Sequence, residues 1–383
     1  MPSYTDLSRD EHTEYIYDLT CFGEPVFPET AEDVAEGIKR AVELDERPAF
    51  LEGLTARLNK LGVPCTPKDT EIILAEVRER YKSVLGKTCP RTVVEWVRGT
   101  TPGVTNRRNN YELCYALGMG FEETAVFFQK HFLTLPWCCK SRIDAVFLYC
   151  LYHKRSYSDA AKMLDESQDF VPQENARTAT SQIFRRILET DNDEEFLRYL
   201  SAHCYGSEQQ FMLAKELIIK ELAEAKDSII NSGRFENISP ERLNSLTISE
   251  LLGYRYQLDT KGIPINELPK RFTESLPNDV TLGRIINGQS VSYELLRKTL
   301  MLLKFYNFYT AAGLTDDPTE IAGNLMDFCD ELNKDLTDCG FAQLYLRHPF
   351  DCLLLYCANS NDPILTMHLL NERNWFLYFP STL

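Results

Sequence analysis

The sequence predicts an all-α protein, and three observations carry that reading. Alternation of apolar and polar residues with the period of two that a half-buried strand needs is scarce along the chain. Helix start and stop signals recur over its whole length. The composition, 44% apolar with 18 Gly and 18 Pro in 383 residues, supplies core material without the bias of a collagen or a disordered chain.

Taken in order, Thr30-Ala-Glu-Asp33 reads as a capping-box-like opening to a helix carrying Val34, Ile38 and Val42 on one face. Thr66-Pro67 offers a hydroxyl N-cap with proline at the first helical position. The segment it introduces places Ile72, Ile73, Leu74, Val77, Tyr81 and Leu85 at a period near 3.6. A short helix spans Thr92–Arg98, with Gly99 as its stop. Further helices are predicted over 107–117, 121–132, 140–153, 156–165, 175–190, 192–203, 207–232, 290–312, 315–335, 350–359 and 362–372. The longest gap in the pattern is 232–246, NSGRFENISPERLNS, where Gly, Pro, Asn and Ser gather. The expected organisation is an acidic N-terminal helical arm over 1–65, a helical lobe over 66–232 and a second lobe over 246–383.

Charge divides the chain further. The total is −16, from 41 Lys+Arg against 57 Asp+Glu, which argues against a surface that coats nucleic acid everywhere. Residues 1–50 hold 13 acidic and 4 basic side chains, whereas residues 85–155 hold 10 basic and 5 acidic. The basic window is therefore +5 and the remainder −21, a segregated distribution. An acidic N-terminus and the lack of an apolar run of about 18 residues predict a cytoplasmic protein with no membrane span. Twelve cysteines without a CxxC pair and six histidines without HxxxH spacing predict reduced thiols, no metal and no cofactor. Phosphate-loop, dinucleotide-binding, nucleophile-elbow and HExxH signatures are missing, so no enzyme is expected; Cys138-Cys139 reads as a pair of buried structural thiols.

Within the basic window the string KTCPRTVVEWVRGTTPGVTNRRNNYELCYALGMGFEETAVFF sets Trp96, Gly99, Pro102 and Ala116-Leu117-Gly118 at telling spacings. In this order they resemble the second half of a Cro/repressor-type, Xre-like helix-turn-helix domain, a likeness covering about 45 residues. Periodicity independently gives the short helix an apolar face of Val93, Trp96 and Val97, with Arg91, Glu95 and Arg98 facing away. The resemblance implies a helix seated in the major groove of double-stranded DNA, with Arg91, Thr92 and Arg98 near bases or phosphates. Lys87, Thr100, Thr101, Asn106, Arg107 and Arg108 would then supply backbone contacts. No counterpart of the family's preceding helices is recognisable between Lys82 and Cys89.

A second copy of the short pattern follows. Thr281–Gly288 matches Thr92–Gly99 at the Thr, the Gly and three apolar sites, 189 positions apart. Asp144–Cys150 matches Asp351–Cys357 at four of seven positions, 207 apart and in the same order. A tandem pseudo-repeat with one or two helix-turn-helix-like elements is the expectation, the second presenting Arg284, Asn287, Gln289 and Ser290, with Lys270 and Arg271 upstream. Segments of the second half also resemble large all-helical proteins of Firmicutes and mobile elements. The terminal run Trp375, Phe376, Leu377, Tyr378 and Phe379 either closes the second lobe or binds a partner or a second copy.

Two functions are carried forward. One is a DNA-binding transcriptional regulator with a helical sensor or dimerisation lobe. The other is a non-enzymatic interaction protein, such as a phage or mobile-element inhibitor or adaptor, whose acidic surface engages a basic partner as a homodimer or with another chain.

Overall fold

The computed structural model describes residues 25–28, 33–34, 37, 49–100, 102, 106–171, 178–203, 205, 209–231, 239, 241, 277, 279–346 and 348–369. Among them lie fifteen α-helices and no named strand; Val26 and Ser360 form an isolated parallel bridge. The all-α expectation holds. In chain order the helices are α1 (Ala49–Lys60), α2 (Thr70–Leu85), α3 (Arg91–Val97), α4 (Arg107–Ala116), α5 (Phe121–Phe127), α6 (Arg142–Tyr152), α7 (Tyr157–Glu166) and α8 (Thr180–Leu188). They continue as α9 (Asp193–Ala202), α10 (Met212–Asn231), α11 (Asp279–Ile286), α12 (Tyr293–Ala312), α13 (Pro318–Cys339), α14 (Pro349–Ala358) and α15 (Pro363–Leu369). Helix α5 runs on as a π turn, Phe128–Phe132, that ends at Leu133 in the left-handed region (φ 54°).

Packing divides the chain into two units. Of the described residues, the first unit gathers those within Glu46–Leu213 and Asp335–Tyr345, and the second those within Glu11–Asp45, Ala214–Lys334 and Leu346–Leu383. The division falls near residue 213, ahead of the break expected at 232–246, because α10 is tied to α12. Asn307 donates to the Glu221 carbonyl and carboxylate at 2.9 Å, and Lys304 meets that carboxylate at 2.9 Å. Residues 335–345 join the first unit, where Ser181 donates to the Asp338 carboxylate at 2.7 Å and Phe341 stacks on Phe211. Helix α1 also belongs to this unit instead of to a separate acidic arm, since Phe50, Leu51, Leu54 and Leu58 are all buried in its core.

In the first unit a single apolar cluster runs from Phe50 to Tyr205. Helix α2 buries Ile73, Leu74, Val77, Tyr81 and Leu85, while Ile72 stays outside at 49% exposure. It begins at Thr70, three residues after the proline expected to open it, because Thr66 donates its hydroxyl to Asp69 at 2.7 Å and closes a turn first. Trp96 meets Phe50 edge-on at 5.8 Å and Phe132 at 6.0 Å, which anchors α3 to α1 and the π turn. Tyr111 stacks on Trp137 and Phe147, pairs that each add about 0.5–1.5 kcal/mol beyond burial. In the second unit α12 contributes Leu296, Leu300, Met301, Leu303 and Phe305 to the interior. Arg297 lies among them at 1% exposure, and its guanidinium binds both oxygens of Asp351 at 2.7 Å.

Several expectations fall outside the described residues: the arm over 1–24, Ile38 and Val42, Lys270 and Arg271, and the terminal run Trp375–Phe379. Val34 alone of its predicted face is described, and it is fully buried.

Candidate nucleic-acid interface

Helix α2 closes at Gly86 (φ 66°), and the turn through Pro90 leads directly into α3. Proline at the N-cap sets an extended φ of −61° there, and α3 then runs for seven residues. Its Val93, Val94, Trp96 and Val97 are buried against α1, α2 and α4. Val94 widens the buried face beyond the three residues expected from periodicity. What is left for solvent is one strip: Arg91, half-buried Thr92, Glu95 and Arg98. Gly99 stops the helix at φ 107°, its N–H bonded to the Trp96 carbonyl at 3.0 Å, and the Thr100 N–H reaches the Glu95 carbonyl at 3.0 Å.

The cations of this region fall into two groups. Arg91 and Arg98 have side chains 93% and 52% exposed, and their shared partner Glu95 stands 4.0 and 3.5 Å away. Such exposed pairs compete poorly with solvent and salt, so both guanidiniums stay open to an outside anion. Thr100 is exposed beside them, and Thr101 lies outside the described residues.

Lys87, Arg107 and Arg108 each pair with a buried carboxylate; Arg107 is largely buried, whereas Lys87 and Arg108 keep 34% and 48% of the side chain exposed. Lys87 meets the fully buried Glu112 carboxylate at 2.6 Å, Arg108 meets it at 3.0 Å, and the Tyr157 hydroxyl donates to it at 2.8 Å. Arg107 goes further inward. Its guanidinium, 16% exposed, pairs with the fully buried Asp144 and donates to the Thr134 hydroxyl at 3.2 Å and the Pro136 carbonyl at 3.0 Å. Burial opposes a charge there, yet the Asp144 carboxylate raises the Arg107 pKa above its usual value and keeps the cation. Asn106 precedes α4 without a side-chain cap bond and is half-buried.

Two further exposed cations lie outside the set expected from the sequence. Arg78 and Lys82 stand one turn apart on the outward side of α2, next to the buried Val77 and Tyr81. Their i, i+4 spacing was legible, but nothing in the sequence tied that face of α2 to α3. The tie is the packing of α2 against α3; near their junction burial pushes the Cys89 thiol up to about 11, opposed by Arg78 and Lys87. The exposed cations of α2, α3 and α4 are therefore Arg78, Lys82, Arg91, Arg98 and Arg108.

Cys138 and Cys139 are buried as expected, and burial pushes the Cys138 thiol up to about 12, far from a nucleophile's range. Among the described residues no group of three or more His, Cys, Asp or Glu is placed to hold a metal ion. No described helix is long and apolar enough to cross a membrane. Comparison with protein-family models, with curated proteins and with solved structures finds no match for the chain.

Proposed function

We propose that the chain is a non-enzymatic regulator that engages duplex DNA through α3, acting in the cytoplasm. One observation carries this reading: a short helix, buried against three neighbours, shows solvent a single strip bounded by two open arginines. The strip is held rigid by Trp96 and by the glycine stop, as a groove-reading helix requires. Arg78 and Lys82 extend the same polarity onto α2, where phosphate contacts belong. The contact set so revised is Arg78, Lys82, Arg91, Thr92, Arg98 and Thr100, with the half-exposed Arg108 and Lys87 beside it, while Arg107 holds the scaffold.

Fluorescence anisotropy with a labelled duplex between 50 and 200 mM salt tests it. Each lost phosphate contact lowers the slope of log K against log salt by about 0.9, so Arg91→Ala with Arg98→Ala should lower it by about 1.8. Equal binding by parent and double variant at every salt concentration refutes the proposal.

A second reading, a protein-interaction module, is favoured by the pairing of Lys87, Arg107 and Arg108 with the buried carboxylates of Glu112 and Asp144, which offsets part of the basic window's charge. A parent that fails to bind DNA even at 50 mM salt supports it. Loss of a co-purifying basic partner on neutralising Asp6, Asp10, Glu11 and Glu14 would then identify the surface.

A further inference from the structure

Matching features recur in the two units, in one order. Helix α11 ends as α3 does: the Gly288 N–H bonds the Ile285 carbonyl at 3.0 Å and the Gln289 N–H the Arg284 carbonyl at 2.8 Å, with Gly288 at φ 69°. These are the bonds of Gly99 and Thr100, shifted by 189 residues. Each unit next spans two helices with a buried ion pair, Arg107 of α4 with Asp144 of α6, and Arg297 of α12 with Asp351 of α14. Each aspartate is the third residue of its helix and follows a left-handed residue by eleven positions, Leu133 ahead of α6 and Gly340 ahead of α14, although Gly340 itself packs in the first unit. Finally α7 and α15 are capped alike, Ser156 accepting from the Asp159 N–H at 3.2 Å and Asp362 from the Leu365 N–H at 2.9 Å. Helical amphipathicity alone does not reproduce a buried pair, a left-handed residue and two cap types in register.

On the DNA-binding reading given above, we infer that α11 is a second DNA-reading element and that one chain reads two different half-sites. At the positions of Arg91, Glu95 and Arg98, helix α11 carries Val280, Arg284 and Asn287, all exposed, followed by exposed Gln289 and Ser290. The chemistry of this strip is not that of α3. An arginine suits the O6 and N7 acceptors of guanine, Asn and Gln suit the N6 and N7 edge of adenine, and a valine side chain suits a thymine methyl. On α3 the matching set is two arginines around a glutamate, which accepts from cytosine N4. The two units also differ at one packing position: Val97 is buried, whereas its counterpart Ile286 is 51% exposed and widens the apolar part of the second strip. The second copy is thus built to read an A·T-containing sequence with less help from phosphates.

Selection from a pool of random duplexes tests this on the full chain, with the parent, the variant R91A/R98A and the variant R284A/N287A, each checked by circular dichroism for unchanged helix content. The parent should enrich two distinct sequence blocks. R91A/R98A should lose one of them and R284A/N287A the other, with about a 10- to 100-fold weaker affinity for the parent's selected duplex. A parent that enriches one block, or an R284A/N287A variant that enriches both, overturns the second reader and leaves α3 intact as the first. Failure of the parent to enrich any sequence overturns the DNA reading and the second reader together.

Discussion

Replacing Arg297 by Met should be among the most damaging single changes in the second unit. The side chain is 2% exposed and its partner Asp351 is fully buried, so the guanidinium's two 2.7 Å bonds are the main compensation for a carboxylate taken out of water. His348 Nδ1, 3.2 Å from the same carboxylate, is a weaker substitute. Breaking a buried pair from one side costs about 3–5 kcal/mol, which corresponds to an amide-exchange acceleration of about 10² to 10⁴ in the segments it joins. Hydrogen exchange followed by mass spectrometry over α12 and α14 measures this directly, unit by unit. Removing both partners, R297M with D351L, should recover most of the loss, because two apolar side chains carry no unpaired charge. The pH dependence has a definite sign. Burial raises the Asp351 pKa, but Arg297 beside it, with His348, more than reverses that and holds it below the usual carboxylate range. The parent therefore keeps this contribution above the unfolded aspartate's pKa and loses it only as pH falls through the lower folded value. In R297M only His348 is left to oppose the burial that raises the Asp351 pKa, so the deficit should shrink on acidification. Protection of α12 and α14 within threefold of the parent at pH 7.5 would refute the argument.

Three further outcomes follow from single contacts. Gly53→Ala on α1 brings a methyl to within 2.2 Å of the His131 ring, so a loss of about 1–3 kcal/mol should replace the gain of about 1 kcal/mol expected from helix propensity. Urea unfolding reads this, and His131→Ala in the same chain should restore stability. Glu112→Gln keeps the shape of a buried side chain but removes the charge that Lys87, Arg108 and Tyr157 address, for about 1–3 kcal/mol; a urea-unfolding loss below about 0.5 kcal/mol would refute a stabilising role for these pairs. Ser156→Ala removes the capping box of α7 and should cost about 1 kcal/mol, read as faster exchange in the first turn of α7, with Ser156→Asp close to neutral.

The helix spans were largely legible because amphipathic periodicity is a local property, and the helices of residues 107–165 lie within a few positions of where the pattern puts them. Misses have local causes too. Helix α1, AFLEGLTARLNK, has no strong cap residue ahead of it to mark its start, and the π turn at Phe128–Phe132 is hidden inside an apolar run that reads as plain helix. The site was legible only in part. Arg91 and Arg98 point outward as the period of α3 requires, whereas Arg107 looked like its exposed neighbour Arg108 until Asp144, 37 residues away, claimed it. A sequence read by windows ranks cations by density, and long-range ion pairs decide which of them solvent ever sees.

Because residues 335–345 complete the first unit, its assembly is bound to the order of synthesis. At about 5–20 residues per second a ribosome needs roughly 7–26 s to pass from residue 213 to residue 345. Over that interval the sites on α8 that receive Asp338, and Cys138, which lies 3.2 Å from a Cβ placed at Gly340, stay uncovered on the nascent chain. Vectorial folding is thereby replaced by a wait. A fragment ending near residue 213 would inherit that uncovered surface permanently, so dissecting the chain into separately expressed halves requires grafting the 335–345 segment back onto the first half.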